Sequence, residues 1–146
     1  MAEQFAWNVH YPGRDGVFGR VDVKLVDSTN PLGLDLNDPN AKDDILSVNQ
    51  LHLEVNRPVT IRLSSKDVIH SFGLPVMRVK QDAVPGIVFP VHFTPVKTND
   101  GERWEIACAQ LCGLGHYRMR GFLTIETKEQ FEKFLADNAP VPVPAV

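Results

Sequence analysis

The sequence contains no run of about 18 apolar residues, which is the length that a membrane-spanning helix requires. Its first residues, Met1 to Gln4, lack the charged and apolar regions of a secretory signal peptide. Taken literally, these absences predict a cytosolic protein. A domain that has been separated from a membrane anchor would show the same absences, so the sequence alone is compatible with both origins.

An excess of basic residues is also lacking. The chain has 15 Lys and Arg against 18 Asp and Glu, which gives a formal net charge of −3 at pH 7. Because nucleic-acid-binding domains usually present a basic face, this balance argues against a nucleic-acid partner. The length of 146 residues and the hydrophobic content of 43% fit a single globular domain.

Soft metal ligands are scarce but concentrated in one loop. The chain has only two cysteines and three methionines, yet both cysteines, one methionine and one histidine follow each other as Cys108-x3-Cys112-x3-His116-x2-Met119. Thiolate, imidazole and thioether together form the ligand set that selects copper. His70, in an apolar segment upstream, would supply a second imidazole. The spacing therefore predicts a copper site for electron transfer.

A disulfide, a zinc site and a single-copper site account for the same residues less completely. A disulfide between Cys108 and Cys112 would close so short a loop that it contributes only about 2 kcal/mol, and it leaves His116 and Met119 without a role. Structural zinc sites do not recruit methionine. A blue copper site needs one thiolate, whereas two bridging thiolates suit two copper ions. His70 taken alone is more readily a buried structural histidine, and only the downstream cluster makes it a candidate ligand.

Hydrophobic periodicity predicts a chain made mostly of strands. Alternating or β-rich runs indicate strands at residues 18–26, 51–55, 59–63, 87–93, 103–108 and 122–125. Residues 28–44 read as a long polar loop. His10, His52 and His92 have no ligand context, and we expect His52 and His92 at the surface.

One helix is predicted after the last strand. Thr127 and Gln130 match a capping box, and Phe131, Phe134 and Leu135 form an apolar face. This organisation predicts an all-β fold, a Greek-key β-sandwich or barrel with one short C-terminal helix. We expect one domain over residues 1–139 and a Pro-rich, poorly ordered tail over residues 140–146.

Four segments give the chain a family resemblance. They are Leu51 to Val59, Asp67-Val68-Ile69-His70-Ser71-Phe72, Lys80-Gln81-Asp82-Ala83-Val84-Pro85-Gly86 and the ligand loop that ends at Met119. The sequence resembles the copper-A domain of cytochrome c oxidase subunit II over nearly its whole length. The resemblance implies a cupredoxin-like β-sandwich with two copper ions in a mixed-valence centre.

The resemblance also implies a ligand set. Cys108 and Cys112 would bridge the two copper ions. His70 and Met119 would complete one copper, and His116 with the backbone carbonyl of Gln110 would complete the other. The implied role is electron transfer from cytochrome c to the haem–copper subunit I, without catalytic residues of its own. The implied location is the periplasm or the outer face of the inner or plasma membrane, with this chain a soluble fragment that lacks the membrane helices.

Some positions depart from the family pattern, and two other functions stay open. Gln110 stands where the family usually has a glutamate that helps to hold magnesium, Phe5 replaces a tryptophan in Gln4-Phe5-Ala6-Trp7, and Gly73 replaces a common aromatic residue.

The ligand spacing also occurs in copper-A domains of nitrous oxide or nitric oxide reductases, although the Cys112-Gly113 step and the Asp82-to-Gly86 segment favour the oxidase. A copper carrier or assembly protein is the third hypothesis.

Overall fold

The computed structural model describes residues 1–140, so the tail predicted at residues 140–146 lies outside the described residues apart from Pro140. Ten strands and one α-helix are present in this range. Their bounds are β1 Ala2–Glu3, β2 Ala6–Tyr11, β3 Ile45–Val48, β4 Gln50–Glu54, β5 Val59–Leu63, β6 His70–Leu74, β7 Val79–Ala83, β8 Phe89–Phe93, β9 Trp104–Cys108, β10 Arg120–Glu126 and α1 Lys128–Asn138. The predicted all-β class with one short C-terminal helix is confirmed.

The strands form one large and two small sheets. The large sheet has the order β4-β10-β9-β6-β7, in which only the β4–β10 pair is parallel. The small sheets are β1-β2-β3 and β5-β8. Buried apolar side chains from all three sheets and from the helix join one core, as in a β-sandwich.

Alternation explains β4 and β10 of the large sheet but not β6, the strand that begins at His70. Leu51 and Leu53 in β4, like Leu123 and Ile125 in β10, are buried while their neighbours are not, as a one-sided strand requires. All five residues of β6 are buried. A strand that is covered on both faces has no polar alternation, and periodicity therefore could not identify β6.

The prediction of a strand at residues 18–26 is wrong. Val21 forms only an isolated bridge with Leu34, and residues 23–25 form a 3₁₀ turn. The Asp22 side chain accepts a hydrogen bond from the Lys24 amide and caps this turn. Val21 and Val23 are 53% and 81% exposed. An apolar alternation without a neighbouring strand to pair with does not make a sheet.

Buried carboxylates hold the long segment between β2 and β3. Asp44 accepts hydrogen bonds from the Gly19 amide at 2.8 Å and the Gly13 amide at 3.2 Å, and its Oδ2 lies 2.5 Å from Nε2 of His10. Asp35, also buried, pairs with Arg20. The predicted polar loop is therefore irregular but well connected to the domain.

The C-terminal helix begins as predicted, with both hydrogen bonds of the Thr127–Gln130 capping box present. Phe131 is buried in the core, and Phe134 stacks on His52 with ring centroids 3.9 Å apart. His52 also lies 2.9 Å from Oε2 of Glu126, so the expected surface position of His52 is wrong because the helix covers it. His92 is exposed, as expected. No helix within residues 1–140 has both the length and the apolar character to cross a membrane.

Candidate metal centre

Two neighbouring strands bring the first two predicted ligands together. β6 begins at His70 and β9 ends at Cys108, and these strands pair so that Phe72 lies opposite Cys108. As a result, Nδ1 of His70 lies 3.9 Å from Sγ of Cys108. Residues that are 38 positions apart in sequence thus meet at one end of the large sheet.

The loop between β9 and β10 brings in the other predicted ligands. Sγ of Cys112 lies 3.6 Å from Sγ of Cys108 and 3.6 Å from Nδ1 of His116, and both cysteines are free thiols. Sδ of Met119 lies 3.2 Å from Nδ1 of His70 and 3.7 Å from Sγ of Cys112. The structure therefore places the side chains of His70, His116 and Met119 around the two cysteine sulfur atoms.

Gln110 meets this cluster through its backbone. Its carbonyl oxygen lies 3.2 Å from Sγ of Cys108, while the residue itself is exposed. A side-chain role at the cluster is not needed to place this oxygen, because the turn after β9 directs the carbonyl towards the sulfur.

Local backbone geometry explains how the loop reaches its shape. Gly113 has a φ of 133°, which side-chain-bearing residues rarely adopt. A 3₁₀ turn at residues 116–118 follows, and the amide of Met119 donates to the carbonyl of His116. This short turn brings the side chains of His116 and Met119 back towards Cys112.

Most of the cluster is shielded from water. His70 is fully buried, and Cys112 and Met119 are only 4% and 3% exposed. Ligand atoms of His70, Cys108 and Cys112 all lie within 4.8 Å of one another, a separation that a shared metal ion can span. Soft, mutually close and mostly buried donors are what a copper centre requires, so the residues present fit copper.

The buried Cys112 thiol ionises poorly by itself. Burial, together with the hydrogen bond and the charge of Cys108, raises the pKa of the Cys112 thiol from 9.0 to about 11. A metal must therefore displace a proton from Cys112 at neutral pH. Cys112 becomes a strong donor only when a cation compensates the charge of its thiolate.

Three residues behind the cluster were not identified from sequence as part of the site. Oδ1 of Asp67 lies 2.8 Å from Nε2 of His70, Gln4 donates from Nε2 to the carbonyl of Cys112 at 2.6 Å, and the ring of Phe5 lies against Gly115. Burial opposes ionisation of Asp67, but hydrogen bonds from His70 and from backbone amides outweigh it and lower its pKa. Asp67 is three residues before His70, which is the one signal in the sequence that pointed to it.

Two further departures from the family pattern, at Gly73 and in the N-terminal aromatic segment, are explained by their neighbours in the structure. A Cβ at Gly73 would lie 3.3 Å from the carbonyl oxygen of Ala107, so the small residue allows β6 and β9 to approach closely. Trp7 contacts His70 edge to face, with ring centroids 6.3 Å apart. The aromatic segment at the N-terminus is therefore in contact with the cluster.

The fold and the cluster together define a cupredoxin-like domain with a candidate soft-metal site. The sequence profile of "Cytochrome C oxidase subunit II, periplasmic domain" matches residues 1–126, and the chain belongs to this family. This membership confirms the resemblance found in the ligand loop and the strand segments.

Individual relatives agree with the family. The chain is 38% identical over 136 residues to "Alternative cytochrome c oxidase subunit 2" of Bradyrhizobium diazoefficiens, covering 92% of this chain and 48% of that protein. It is 39% identical over 92 residues to "Cytochrome c oxidase subunit 2" of Thermostichus vulcanus, covering 63% of this chain and 27% of that protein. The chain thus spans half or less of the length of these relatives.

Solved structures show the same fold. The periplasmic domain of subunit II of cytochrome oxidase (CoxB) of Bradyrhizobium japonicum superposes with a TM-score of 0.60 at 23% identity, covering 69% of this chain and 81% of that chain. A subunit II of cytochrome c oxidase, captured as a mixed disulfide intermediate with a thioredoxin-like protein, superposes with a TM-score of 0.53 at 28% identity and covers 64% of this chain and 65% of that chain. The predicted cupredoxin-like fold is confirmed.

Proposed function

We propose that this domain binds two copper ions and transfers electrons within a haem–copper oxidase complex. One observation carries the proposal: a pair of free thiols 3.6 Å apart, surrounded by two imidazoles, a thioether and a backbone carbonyl. A single blue copper would leave one of these thiolates without a role. Membership in the subunit II family supports the oxidase over the reductase and carrier hypotheses.

We assign the donors to two copper positions, and the distances support this assignment. Nδ1 of His70 and Sδ of Met119 are 3.2 Å apart and would hold one copper together with the sulfur atoms. Nδ1 of His116 lies next to Cys112, and the carbonyl of Gln110 lies next to Cys108, so these two would hold the other copper. Cys108 and Cys112 are the residues common to both positions.

The protein itself would bind the copper ions, orient their ligands and exclude water from the site. When bound, a thiolate-bridged copper pair supplies a one-electron carrier whose charge is spread over two metals. His70 and Cys108 are fixed on paired strands, and the buried Met119 excludes water on the inner side. Ligands on a rigid sheet move little when the charge of the copper pair changes, and this favours fast electron transfer.

The proposed partners follow from the family. We propose a cytochrome c or a similar protein as donor and the haem–copper subunit I as acceptor, on the periplasmic or outer side of the membrane. Attachment to the membrane would come from the complex or from an anchor outside this chain. The exposed Leu111, Leu114 and Tyr117, at 75%, 98% and 84%, leave the loop accessible to such partners.

Copper stoichiometry tests the proposal. We expect the domain, loaded with copper and desalted, to retain two copper ions per chain and to show thiolate-to-copper absorption in the visible range. Cys108→Ser and Cys112→Ser should each abolish the pair, because serine cannot bridge two coppers with comparable covalency. Ser47→Ala, on β3, is the control and should bind as the wild type does. One copper per chain in the wild type would refute the proposal, and rapid loss of all copper to a chelator would favour the carrier hypothesis.

A further inference from the structure

We propose that Gln4 and Asp67 are positioning residues, which form a hydrogen-bonded bridge between the two segments that carry the metal ligands. The bridge runs from His70 through the Asp67 carboxylate to Gln4 and on to the backbone of Cys112. Its relevance to copper rests on the proposed function. Its existence and its effect on His70 are properties of the metal-free chain.

The Asp67 carboxylate fixes which nitrogen of His70 faces the cluster. Its Oδ1 is 2.8 Å from Nε2 of His70, and its Oδ2 accepts a hydrogen bond from the Gln4 amide at 2.7 Å. A carboxylate accepts but does not donate, so a neutral His70 imidazole that makes this hydrogen bond carries its proton on Nε2. The lone pair of His70 is then on Nδ1, the atom that faces Met119 and Cys108.

Gln4 links this arm to the ligand loop. Its side-chain Nε2 donates to the carbonyl of Cys112 at 2.6 Å, across 108 positions of sequence. A Cβ placed on Gly113 would lie 2.7 Å from the same nitrogen, so the loop approaches Gln4 as closely as a glycine permits. One residue therefore contacts both sides of the cluster, through its backbone on the His70 side and through its side chain on the Cys112 side.

The bridge is anchored to the rest of the domain. The Ala2 amide donates to the carbonyl of Ser64, and the Lys66 amide donates to the carbonyl of Ala2, both at 2.9 Å. The strand before Gln4 is thus tied to the segment directly before Asp67. The Asp67 backbone amide donates to the Ser65 hydroxyl oxygen at 3.4 Å, and the Asp67 carboxylate also accepts from the Val68 amide at 2.7 Å, so both groups are held in the same turn.

The imidazoles of His70 and His116 differ in their burial and in their hydrogen-bond partners. His70 is fully buried and has a carboxylate behind it, whereas His116 is partly exposed and its imidazole has Cys112 as its one hydrogen-bond partner within residues 1–140. A bridge that orients one imidazole and the loop backbone should therefore act mainly on the copper position of His70 and Met119. Partners of this kind typically change metal affinity by about 10- to 100-fold.

The experiment begins with the metal-free protein. Long-range ¹H–¹⁵N NMR should show the Nε2–H tautomer of His70 in the wild type, and Asp67→Ala should remove this preference. Asp67→Asn, which keeps an acceptor oxygen, should restore it in part. In Gln4→Ala the His70 tautomer should persist, because the Gln4 amide is retained, while amide exchange of Gly113 to Gly115 becomes faster. Asp137→Asn on α1 and Gln50→Ala on β4 are the exposed matched controls.

The copper-loaded variants then connect the bridge to the site. We expect Asp67→Ala to lose copper to a chelator about tenfold faster than Asp137→Asn, and Gln4→Ala to lose it faster than Gln50→Ala. An Nδ1–H tautomer in the wild type would overturn the proposal even if no variant folds. Unchanged tautomer, exchange and copper retention in the variants would overturn it as well. If the wild type fails to hold two copper ions while the NMR results hold, the proposed function fails and the bridge does not.

Discussion

At the scale of single residues, the cluster consists of two central cysteines and of other donors that surround their sulfur atoms. Cys108 and Cys112 are the central pair, and each other donor contacts at least one of their sulfur atoms or the adjoining His70. Met119 is buried and close to both Cys112 and His70, a position that suits the weak thioether ligand proposed above.

Replacement of this thioether distinguishes a ligand from a core residue. Met119→Leu conserves volume and removes only the sulfur donor. We expect both copper ions to stay bound and the reduction potential to rise, because the oxidised centre loses more donation than the reduced one. Metal analysis and protein-film voltammetry measure the two quantities, with Met77→Leu outside the site as the control. A potential equal to that of the wild type would make Met119 part of the core alone.

The raised pKa of Cys112 gives the metal-free protein an alkaline limit. Because the folded pKa, about 11, lies above the ordinary 9.0, the folded chain holds more protons than the unfolded chain between these values. Stability from this thiol is complete below about pH 9 and is lost as the pH rises to about 11. Urea denaturation of the metal-free protein should show this decline, and Cys112→Ser should lack it. A wild-type and serine variant with parallel pH profiles would contradict the assigned burial of the thiol.

At the scale of elements, the ligand loop depends on the turn between β1 and β2. Phe5 in this turn lies so close to the loop that a Cβ on Gly115 would be 2.4 Å from its Cδ2 atom. Gly115 is therefore required by a neighbour that is distant in sequence, and Gly113 is required in addition by its own backbone angle.

A side chain added at Gly115, where the ligand loop contacts the Phe5 ring, should displace the ligand loop. Gly115→Ala forces Phe5 or the loop to move, and overpacking of this kind costs about 1–3 kcal/mol of unfolding free energy. We expect weaker copper retention together with this loss in urea denaturation. The double variant Phe5→Ala, Gly115→Ala should recover much of both, and Phe5→Ala alone reports the loss of the ring. Equal copper retention in Gly115→Ala and the wild type would show that the contact does not position the loop.

The elements also show where sequence patterns succeed and where they stop. The ligand loop was predictable because its donors lie within twelve residues of sequence, and the helix was predictable because its capping box is local. β6 was not, because burial on both faces removes alternation. The segment at residues 18–26 alternates but finds no strand to pair with, so the pattern led to a wrong prediction there.

At the scale of the whole molecule, the site is assembled from contacts that no local pattern contains. Asp67 and Gln4 meet across 63 positions, and Gln4 and Cys112 meet across 108. Only the complete fold brings the N-terminal strands, β6 and the ligand loop to one end of the domain. The chain needs the sequence of the loop for its ligands and the whole fold for their orientation.

The most direct test of the central claim is the electron paramagnetic resonance spectrum of the copper-loaded domain in its mixed-valence state. If one unpaired electron is shared between two thiolate-bridged copper ions, the hyperfine pattern must contain more lines than a single copper nucleus can produce. We predict this pattern for the wild type and its loss in Cys112→Ser. A wild-type spectrum with the hyperfine lines of one copper nucleus would contradict the account.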